Sequence, residues 1–165
     1  MRTALVVVSG APGAGKTCLS RALGDRLGWP AIARDDLKEV LLDAFPPAGR
    51  DESMRLGGPS WPLMYAVLDR LIGRVPGVIL EANFRAGRSE AELLDRVERC
   101  NAVDVHCVAG WETVAARLQA RQGDPARHPG HFDAEAFPRC RQTGRLGHIV
   151  QWRWASRSSP YGPMP

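Results

Sequence analysis

Lysine is nearly absent from this 165-residue chain, which has two lysines, Lys16 and Lys38, against twenty arginines. Acidic residues are absent from the last thirty positions. Residues 1–135 hold all 18 acidic side chains and 17 basic ones, a net charge of −1. The other five arginines lie in residues 136–165, so the formal charge of +4 arises from the C-terminal tail. A near-neutral body argues against the basic surface that binding of a nucleic-acid backbone requires.

Long apolar runs and paired cysteine motifs are also missing. The apolar run over residues 4–8 is too short for a membrane span or a signal peptide, so neither is expected. The four cysteines, at positions 18, 100, 107 and 140, show no C-x-x-C spacing. Reduced thiols and a cytoplasmic location are therefore expected. At this length and 44% hydrophobic content, the chain can bury one core and is expected to form one domain.

A glycine-rich motif follows the first apolar run directly. Residues 10–17 read Gly-Ala-Pro-Gly-Ala-Gly-Lys-Thr, which is the P-loop pattern, and a helical pattern follows them. Such a loop wraps backbone N–H groups around a phosphate, and the lysine reaches the β- and γ-phosphates. The hydroxyl of Thr17 is then placed to hold Mg²⁺. The predicted nucleotide-binding residues are Gly10, Ala11, Pro12, Gly13, Ala14, Gly15, Lys16, Thr17 and Cys18.

Short apolar segments alternate with amphipathic segments along residues 4–122. Strands are predicted near residues 4–8, 30–33, 78–81 and 103–108, and helices over 17–27, 35–44, 61–74, 90–99 and 111–122. The Pro- and Gly-rich stretch 45–60 is predicted to be a surface loop. This alternation predicts an α/β fold whose mostly parallel sheet is covered by helices on both faces. Ligands then bind outside the carboxyl ends of the strands.

Polar side chains that follow two of these strands are candidates for the chemistry. Asp35 is predicted to be the catalytic base, and Asp36 a helix cap or a partner of the metal's ligands. The alternative is that both aspartates only cap a helix. Glu81 and Asn83 follow a buried strand and are predicted to contact substrate, although polar residues end many buried strands for structural reasons.

Arginines are placed along a predicted lid over residues 117–131. Arg117 and Arg121 share a helix face, and Arg127 follows the helix. Arg121 and Arg127 are predicted to be catalytic, because guanidinium groups stay charged and grip phosphate with two parallel hydrogen bonds. Ordinary surface charge is the alternative. His128 and His131 lack the partner ligands that a zinc site requires.

Four segments together resemble the small P-loop kinases of the AAA-33 type, which are akin to zeta toxins, chloramphenicol phosphotransferase and the 5′-kinase part of polynucleotide kinase. These segments are the P-loop, 34–39 (Arg-Asp-Asp-Leu-Lys-Glu), 80–84 (Leu-Glu-Ala-Asn-Phe) and 127–131 (Arg-His-Pro-Gly-His). The resemblance implies a P-loop NTPase three-layer sandwich with a five-stranded parallel sheet. It also implies ATP with Mg²⁺ as the phosphoryl donor and a hydroxyl acceptor. The Arg-Asp-Asp segment of polynucleotide-type kinases carries the base, which supports Asp35.

The C-terminal tail departs from that resemblance. Residues 1–137 form the kinase-like domain, whereas 138–165 are basic and show only one candidate strand, over 148–152. One hypothesis is that the tail is translated from a shifted frame; the other is a genuine adapted tail. Trp61, Trp152 and Trp154 are candidates to stack on a ring-bearing acceptor, although tryptophans more often serve packing.

These observations predict a kinase that transfers the γ-phosphoryl group of ATP to a hydroxyl of a small molecule. The alternatives are a 5′-hydroxyl polynucleotide kinase, a nucleotide-binding regulatory ATPase, and a remnant whose C-terminus leaves it inactive. The chain has no Asn-Lys-x-Asp segment to recognise guanine, which argues against a GTPase. It also has no apolar strand that ends in Asp-Glu, which argues against a ring-forming ATPase.

Overall fold

The structure is a computed structural model that describes residues 2–84, 89–122, 124–125 and 127–132. In chain order its elements are β1 (Ala4–Gly10), α1 (Lys16–Leu27), β2 (Ala31–Ala33), α2 (Arg34–Ala44), α3 (Arg50–Leu56), α4 (Ser60–Leu71), β3 (Gly77–Glu81), α5 (Glu90–Glu98), β4 (Asn101–Cys107), α6 (Trp111–Arg121) and a 3₁₀ turn (Pro129–His131). None of the described helices is long and apolar enough to cross a membrane. The predicted tail 138–165, including its candidate strand, Trp152 and Trp154, lies outside the described residues.

The four described strands form one parallel sheet in the order β2-β3-β1-β4. Glu81 at the end of β3 is paired with Val8 of β1 and with Ala33 of β2. The carboxyl ends of three strands therefore meet at one edge of the sheet, as the sequence predicts. The resemblance implies a fifth strand, whereas the described residues form four.

Helices cover both faces of this sheet, which confirms the predicted three-layer arrangement. Leu5, Val7 and Leu80 face α4 and α5, and the core they form includes Leu68 and Leu93, all at most 1% exposed. Ile79 points to the opposite face, where its side chain lies 3.9 Å from the position of a Cβ at Gly24 of α1. A sheet buried on both faces explains why β1 and β3 are apolar without alternation.

Two predicted boundaries are wrong. The stretch 45–60 is not a loop throughout, because α3 forms within it and α4 begins at Ser60. Gly49, which is extended, and Gly57 bound α3, so the flanking Pro and Gly residues delimit a short helix instead of preventing one.

Helix α2 begins at Arg34, with Ala33 at its N-cap, so Asp35 and Asp36 lie in the first turn and cap nothing. Carboxylates there still stabilise the positive end of the helix dipole.

Candidate active site

The loop between β1 and α1 turns through three glycines of positive φ: Gly10 at 138°, Gly13 at 79° and Gly15 at 103°. Side chains other than glycine rarely adopt these conformations. At Gly10 a Cβ would also lie 2.4 Å from the carbonyl oxygen of Cys107 in β4. The loop leads straight into α1, so the unpaired N–H groups of the first helical turn open on the same hollow. All nine predicted nucleotide-binding residues belong to this loop and first turn.

Lys16 lies under this loop with 8% of its surface exposed. Its Nζ donates a hydrogen bond to the carbonyl oxygen of Ala11 at 3.0 Å. Burial lowers the pKa of Lys16, and the negative charges of Glu81 and Asp35 oppose that shift. The ammonium group is thus held inside the loop, within the electrostatic reach of both predicted carboxylates.

Thr17 and Glu81 are in direct contact at the carboxyl end of β3. The Thr17 hydroxyl donates to Oε2 of Glu81 at 3.1 Å, and Glu81 is 4% exposed. Burial raises the pKa of Glu81, while Lys16 lowers it. Hydroxyl and carboxylate oxygens are ligands that suit Mg²⁺, which completes its shell with water and substrate phosphates. The described residues include no cluster of three or more His, Cys, Asp or Glu side chains that could hold a metal ion. Thr17 and Glu81 could together offer two oxygen ligands to Mg²⁺.

Asp35 and Asp36 point in different directions from the first turn of α2. Asp35 is contacted by Nη1 of Arg34 at 3.4 Å, and its negative charge opposes the lowered pKa of Lys16 and adds to the raised pKa of Glu81. Asp36 instead pairs with Arg21 of α1 at 3.5 Å. Burial raises the pKa of Asp36, and Arg21 opposes this. Asp35 thus lies within electrostatic range of Lys16 and Glu81, whereas Asp36, whose charge also adds to the raised pKa of Glu81, is paired with the neighbouring helix.

Helix α6 packs on the P-loop, and one of its arginines, Arg117, contacts the loop directly. Nη1 of Arg117 donates to the carbonyl oxygen of Gly13 at 3.0 Å. The positive charge of Arg121, one turn further along, contributes to the lowered pKa of Lys16 and so acts at the same hollow. The i, i+4 spacing of these arginines shows in the sequence, but the contact with a backbone carbonyl 104 residues away does not.

Arg127 lies apart from this group. Its guanidinium is 3.7 Å from Oε1 of Glu39 in α2, and the same oxygen is 2.7 Å from Nε2 of His131. The side chain of Arg127 is 25% exposed, because it packs on α2. Residues 127–132 therefore rest on α2 in this structure. His128 and His131 contact carboxylates of α2, Asp43 and Glu39 respectively.

A cleft of about 340 Å³ opens beyond the carboxyl end of β3, next to Arg34. The described residues that line it are Arg34, Met54, Gly57, Gly58, Trp61, Pro62, Asn83, Ser89 and Glu92. The sequence predicts Asn83 at the substrate and names Trp61 of α4 as a candidate to stack on the acceptor, but it does not indicate the contribution of Met54 from α3. The guanidinium of Arg34 stacks over the Trp61 ring at 4.9 Å, a contact between distant residues that no local pattern indicates.

Comparison with known proteins agrees with this geometry. The profile of the family AAA_33, described as an AAA domain, matches residues 5–145. A candidate kinase from Chloroflexus aurantiacus J-10-fl is a similar solved structure, with a TM-score of 0.76 and 28% identity. That match covers 85% of this chain and 78% of the other. Among curated proteins, none is significantly similar to this chain.

Two more distant solved structures share the fold. One belongs to the Pnkp1/Rnl/Hen1 RNA repair complex, with a TM-score of 0.59, 18% identity, and coverage of 87% of this chain and 45% of the other. The second is a sugar kinase from Janibacter sp. HTCC2649, with a TM-score of 0.50, 19% identity, and coverage of 90% and 80%. Identities this low establish the fold alone, which is that of the kinase-like P-loop NTPases.

Proposed function

Since the chain belongs to the AAA_33 family of AAA domains, we propose that it is a Mg²⁺-dependent kinase that transfers the γ-phosphoryl group of ATP to a hydroxyl of a small molecule. One observation carries the proposal: Lys16, Thr17 and Glu81 converge at the carboxyl edge of the sheet, beneath a loop shaped to hold phosphate, and Asp35 in the first turn of α2 is near enough for its charge to act on Lys16. Phosphoryl transfer needs a cation on the phosphates, a metal site and a carboxylate for the acceptor, and this edge supplies all three.

The donor side of the reaction is assigned to the P-loop. Its backbone N–H groups bind the phosphates, and Lys16 leaves the Ala11 carbonyl to contact the β- and γ-phosphates. Thr17 would hold Mg²⁺ directly, with Glu81 beside it, directly or through water. Mg²⁺, when bound, supplies positive charge that neutralises the phosphate oxygens as the bond to the leaving group breaks. We propose that Asp36, which pairs with Arg21, contributes only its negative charge at this edge of the sheet.

The acceptor side is assigned to Asp35. Its carboxylate accepts the proton of the acceptor hydroxyl while the hydroxyl oxygen bonds to the γ-phosphorus. The bond between that phosphorus and the bridging oxygen of ADP breaks, and ADP leaves with the electron pair. Asp35 is 46% exposed, so an acceptor can reach it from the hollow.

The arginines are assigned separate roles. Arg121 lies near Lys16 and is proposed to stabilise the charge of the transferring phosphoryl group. Arg117 positions the loop through the Gly13 carbonyl. For Arg127, the ion pair with Glu39 favours a role in holding the segment 127–132 on α2.

The cellular location is part of the same proposal. Cys18, Cys100 and Cys107, the described cysteines, are free thiols. Free thiols suit a reducing compartment, so we place the protein in the cytoplasm.

Measurement of ADP release, with and without a panel of hydroxyl acceptors, tests this function. Acceptor-dependent release is expected, whereas the same slow release with every acceptor would indicate a regulatory ATPase or an inactive remnant. Asp35→Asn is expected to lower kcat by about 100-fold or more, with little change in ATP affinity, because a general base contributes roughly that factor.

Two controls make that test sharper. Asp51→Asn changes an exposed aspartate in the first turn of α3 and should leave kcat unchanged. Lys16→Ala should remove about 100-fold or more of the transfer rate, as loss of a transition-state cation does. Full turnover by the Lys16 variant would rule out the P-loop as the donor site, and full turnover by the Asp35 variant would move the base to Asp36 or Glu81.

A further inference from the structure

The cleft beside Arg34 is lined by residues of four helices and by residues that follow β3. Its wall includes Arg34, which contacts Asp35, and Asn83, which lies two residues beyond β3. A hydroxyl compound in this cleft would therefore contact Arg34, whose guanidinium in turn contacts the carboxylate assigned as the base. This location makes the cleft the natural acceptor side of the site.

The volume of the cleft sets the size of its ligand. At about 340 Å³ it lies at the lower end of the range of small-molecule sites, roughly 300–1,000 Å³. A strand of nucleic acid instead follows an extended, positively charged groove with repeated stacking contacts. The dimensions favour one compact molecule.

The wall of the cleft offers an apolar, aromatic surface. Trp61 and Pro62 lie at the start of α4, and Met54, which is 54% exposed, approaches from α3. The Trp61 ring is steadied by Phe84, whose ring centroid is 5.7 Å away, and by the Arg34 guanidinium. A fixed indole beside a thioether and a proline ring is a surface that favours a flat ring or another apolar body.

Three described cations on this side of the molecule, Arg34, Lys38 and Arg127, contact protein groups. Nη2 of Arg34 donates to the Gly57 carbonyl at 3.0 Å, and its Nη1 contacts Asp35. Lys38, 6% exposed, donates to Oγ of Ser53 at 2.9 Å. Arg127 pairs with Glu39, as described above. A phosphate or carboxylate on the acceptor would have to displace one of these contacts, and the carboxylate of Glu92 at the edge of the cleft would repel it.

One polar atom in the wall could accept a hydrogen bond from a ligand. Oδ1 of Asn83 is buried and has no hydrogen-bond partner among the described residues. Leaving a buried acceptor unpaired is costly, so an incoming O–H or N–H that reaches this oxygen gains affinity. The ligand is therefore expected to carry such a donor besides the hydroxyl that is phosphorylated.

From these contacts we infer that the cleft binds the acceptor, and that the acceptor is a compact, uncharged alcohol with a ring or another apolar body and a second hydrogen-bond donor. This inference rests on the proposed kinase function and narrows its acceptor class. It assigns Trp61 as the stacking surface and Asn83 as a specificity-determining residue for the second donor.

Binding of matched probes to the ¹⁵N-labelled full chain tests the inference independently of turnover. The probes are thymidine, phenyl β-D-glucoside, thymidine 3′-phosphate and a 5′-hydroxyl DNA decamer, each titrated while the Trp61 indole and Asn83 side-chain amide signals are followed. Trp61→Phe and Asn83→Ala identify those two signals. The uncharged ring compounds should shift both, and thymidine should bind about tenfold or more tightly than its 3′-phosphate, because the cleft repels the added charge.

A matched pair of asparagine variants gives the control. Asn83→Ala should weaken binding of the uncharged probes by roughly fivefold to tenfold, the effect of losing one hydrogen bond to ligand. Asn101→Ala, an exposed asparagine at the opposite end of the sheet, should leave it unchanged. Equal or tighter binding of the 3′-phosphate or the DNA would overturn the acceptor class, as would the failure of every probe to shift the two signals. A separate titration with Mg·ADP, followed at Gly13 and Gly15, reports on the kinase proposal alone.

Discussion

Gly10 shows how a single residue controls the geometry of the donor site. Its φ of 138° and the approach of the Cys107 carbonyl both require the absence of a Cβ. The first demand is local to the P-loop, whereas the second ties the loop to strand β4. A glycine-rich motif in the sequence indicates the positive φ but not the close approach of β4.

Gly10→Ala is therefore expected to destabilise the fold and to disorder the loop. A Cβ placed 2.4 Å from a carbonyl oxygen forces β1 and β4 apart, and the positive φ adds strain of about 1–3 kcal/mol. A loss of roughly 2 kcal/mol or more in the free energy of unfolding is expected in urea titrations. Nucleotide binding should fall with it.

Gly49→Ala is the matched control for that substitution. Gly49 is extended, and a Cβ there would meet no atom within 4 Å. Its free energy of unfolding should change by less than about 1 kcal/mol. Equal stability of the two variants would show that the contact between Gly10 and Cys107 does not constrain the loop.

At the scale of elements, the segment 127–132 is held on α2 by hydrogen bonds of two histidines, His128 with Asp43 and His131 with Glu39. The N–H of Gly130 donates to Nδ1 of His128 at 3.0 Å, so that nitrogen carries no proton, and Nε2 of His128 donates to Asp43. The Gly130 carbonyl accepts from Ser53, which links the segment to α3 as well. Neutral imidazole at His128 is thus part of the docked arrangement.

Acidification is expected to release this segment from α2. The pKa of His131 lies below its usual 6.5, chiefly because the ring is buried and Arg127 is near, while Glu39 and Asp35 oppose the shift. A lowered pKa means that the docked state resists protonation, so docking is complete above about pH 6.5 and weakens as the pH falls below it. The hydrogen-exchange protection factor of Gly130 should therefore drop several-fold between pH 7.5 and pH 5.5, on the order of a tenfold effect per pH unit at most.

The variant His131→Gln separates protonation of His131 from the other effects of low pH on the protein. Glutamine keeps a donor for Glu39 and does not titrate, so the contribution of position 131 to the pH dependence should disappear. Protection at Leu68, in the core on α4, serves as the internal reference because that residue is fully buried. A protection factor at Gly130 that stays constant with pH in the parent chain would contradict the expected release.

The sequence predicts some of these elements better than others, for physical reasons. Strands β1 and β3 and helix α1 were predicted because their apolar patterns and the P-loop glycines are local signals. Helix α3 was missed because its seven residues are mostly polar and lie between Pro- and Gly-rich turns. It is stabilised by contacts such as the hydrogen bond from Lys38 to Ser53, which joins residues distant in the chain.

At the scale of the whole molecule, the sequence indicates where the candidate site residues lie more completely than it indicates their partners, and the roles of these residues stay predictions. The positions of Lys16, Thr17, Asp35 and Glu81 follow from the rule that ligands gather at the carboxyl ends of parallel strands. The ion pair of Arg127 with Glu39 and that of Asp36 with Arg21 depend on how helices pack, which a single sequence does not encode locally. The acceptor cleft depends on that packing too.

Nucleotide binding should stabilise the whole domain, because the P-loop forms only in the folded chain. At about 100 times the dissociation constant, a ligand adds roughly 2.7 kcal/mol to the free energy of unfolding. For a chain of this length that corresponds to a rise in Tm of about 5–10 °C. Thermal denaturation with and without Mg·ADP measures the shift.

Lys16→Ala should lose most of that rise, whereas Arg26→Ala, an exposed cation in the last turn of α1, should keep it. The comparison uses the shift in each variant and not the Tm itself, since removal of a buried lysine changes the stability of the free protein. An undiminished shift in the Lys16 variant would exclude the loop as the nucleotide site.

The path of the chain after β4 links the P-loop to helix α2. Helix α6 starts against the P-loop, and the same stretch of backbone ends on α2, one turn from the aspartate assigned as base. Residues that contact the P-loop and residues that contact α2 therefore lie within fifteen consecutive positions, 117–131, so one short segment of sequence touches both the donor side and the acceptor side of the proposed reaction.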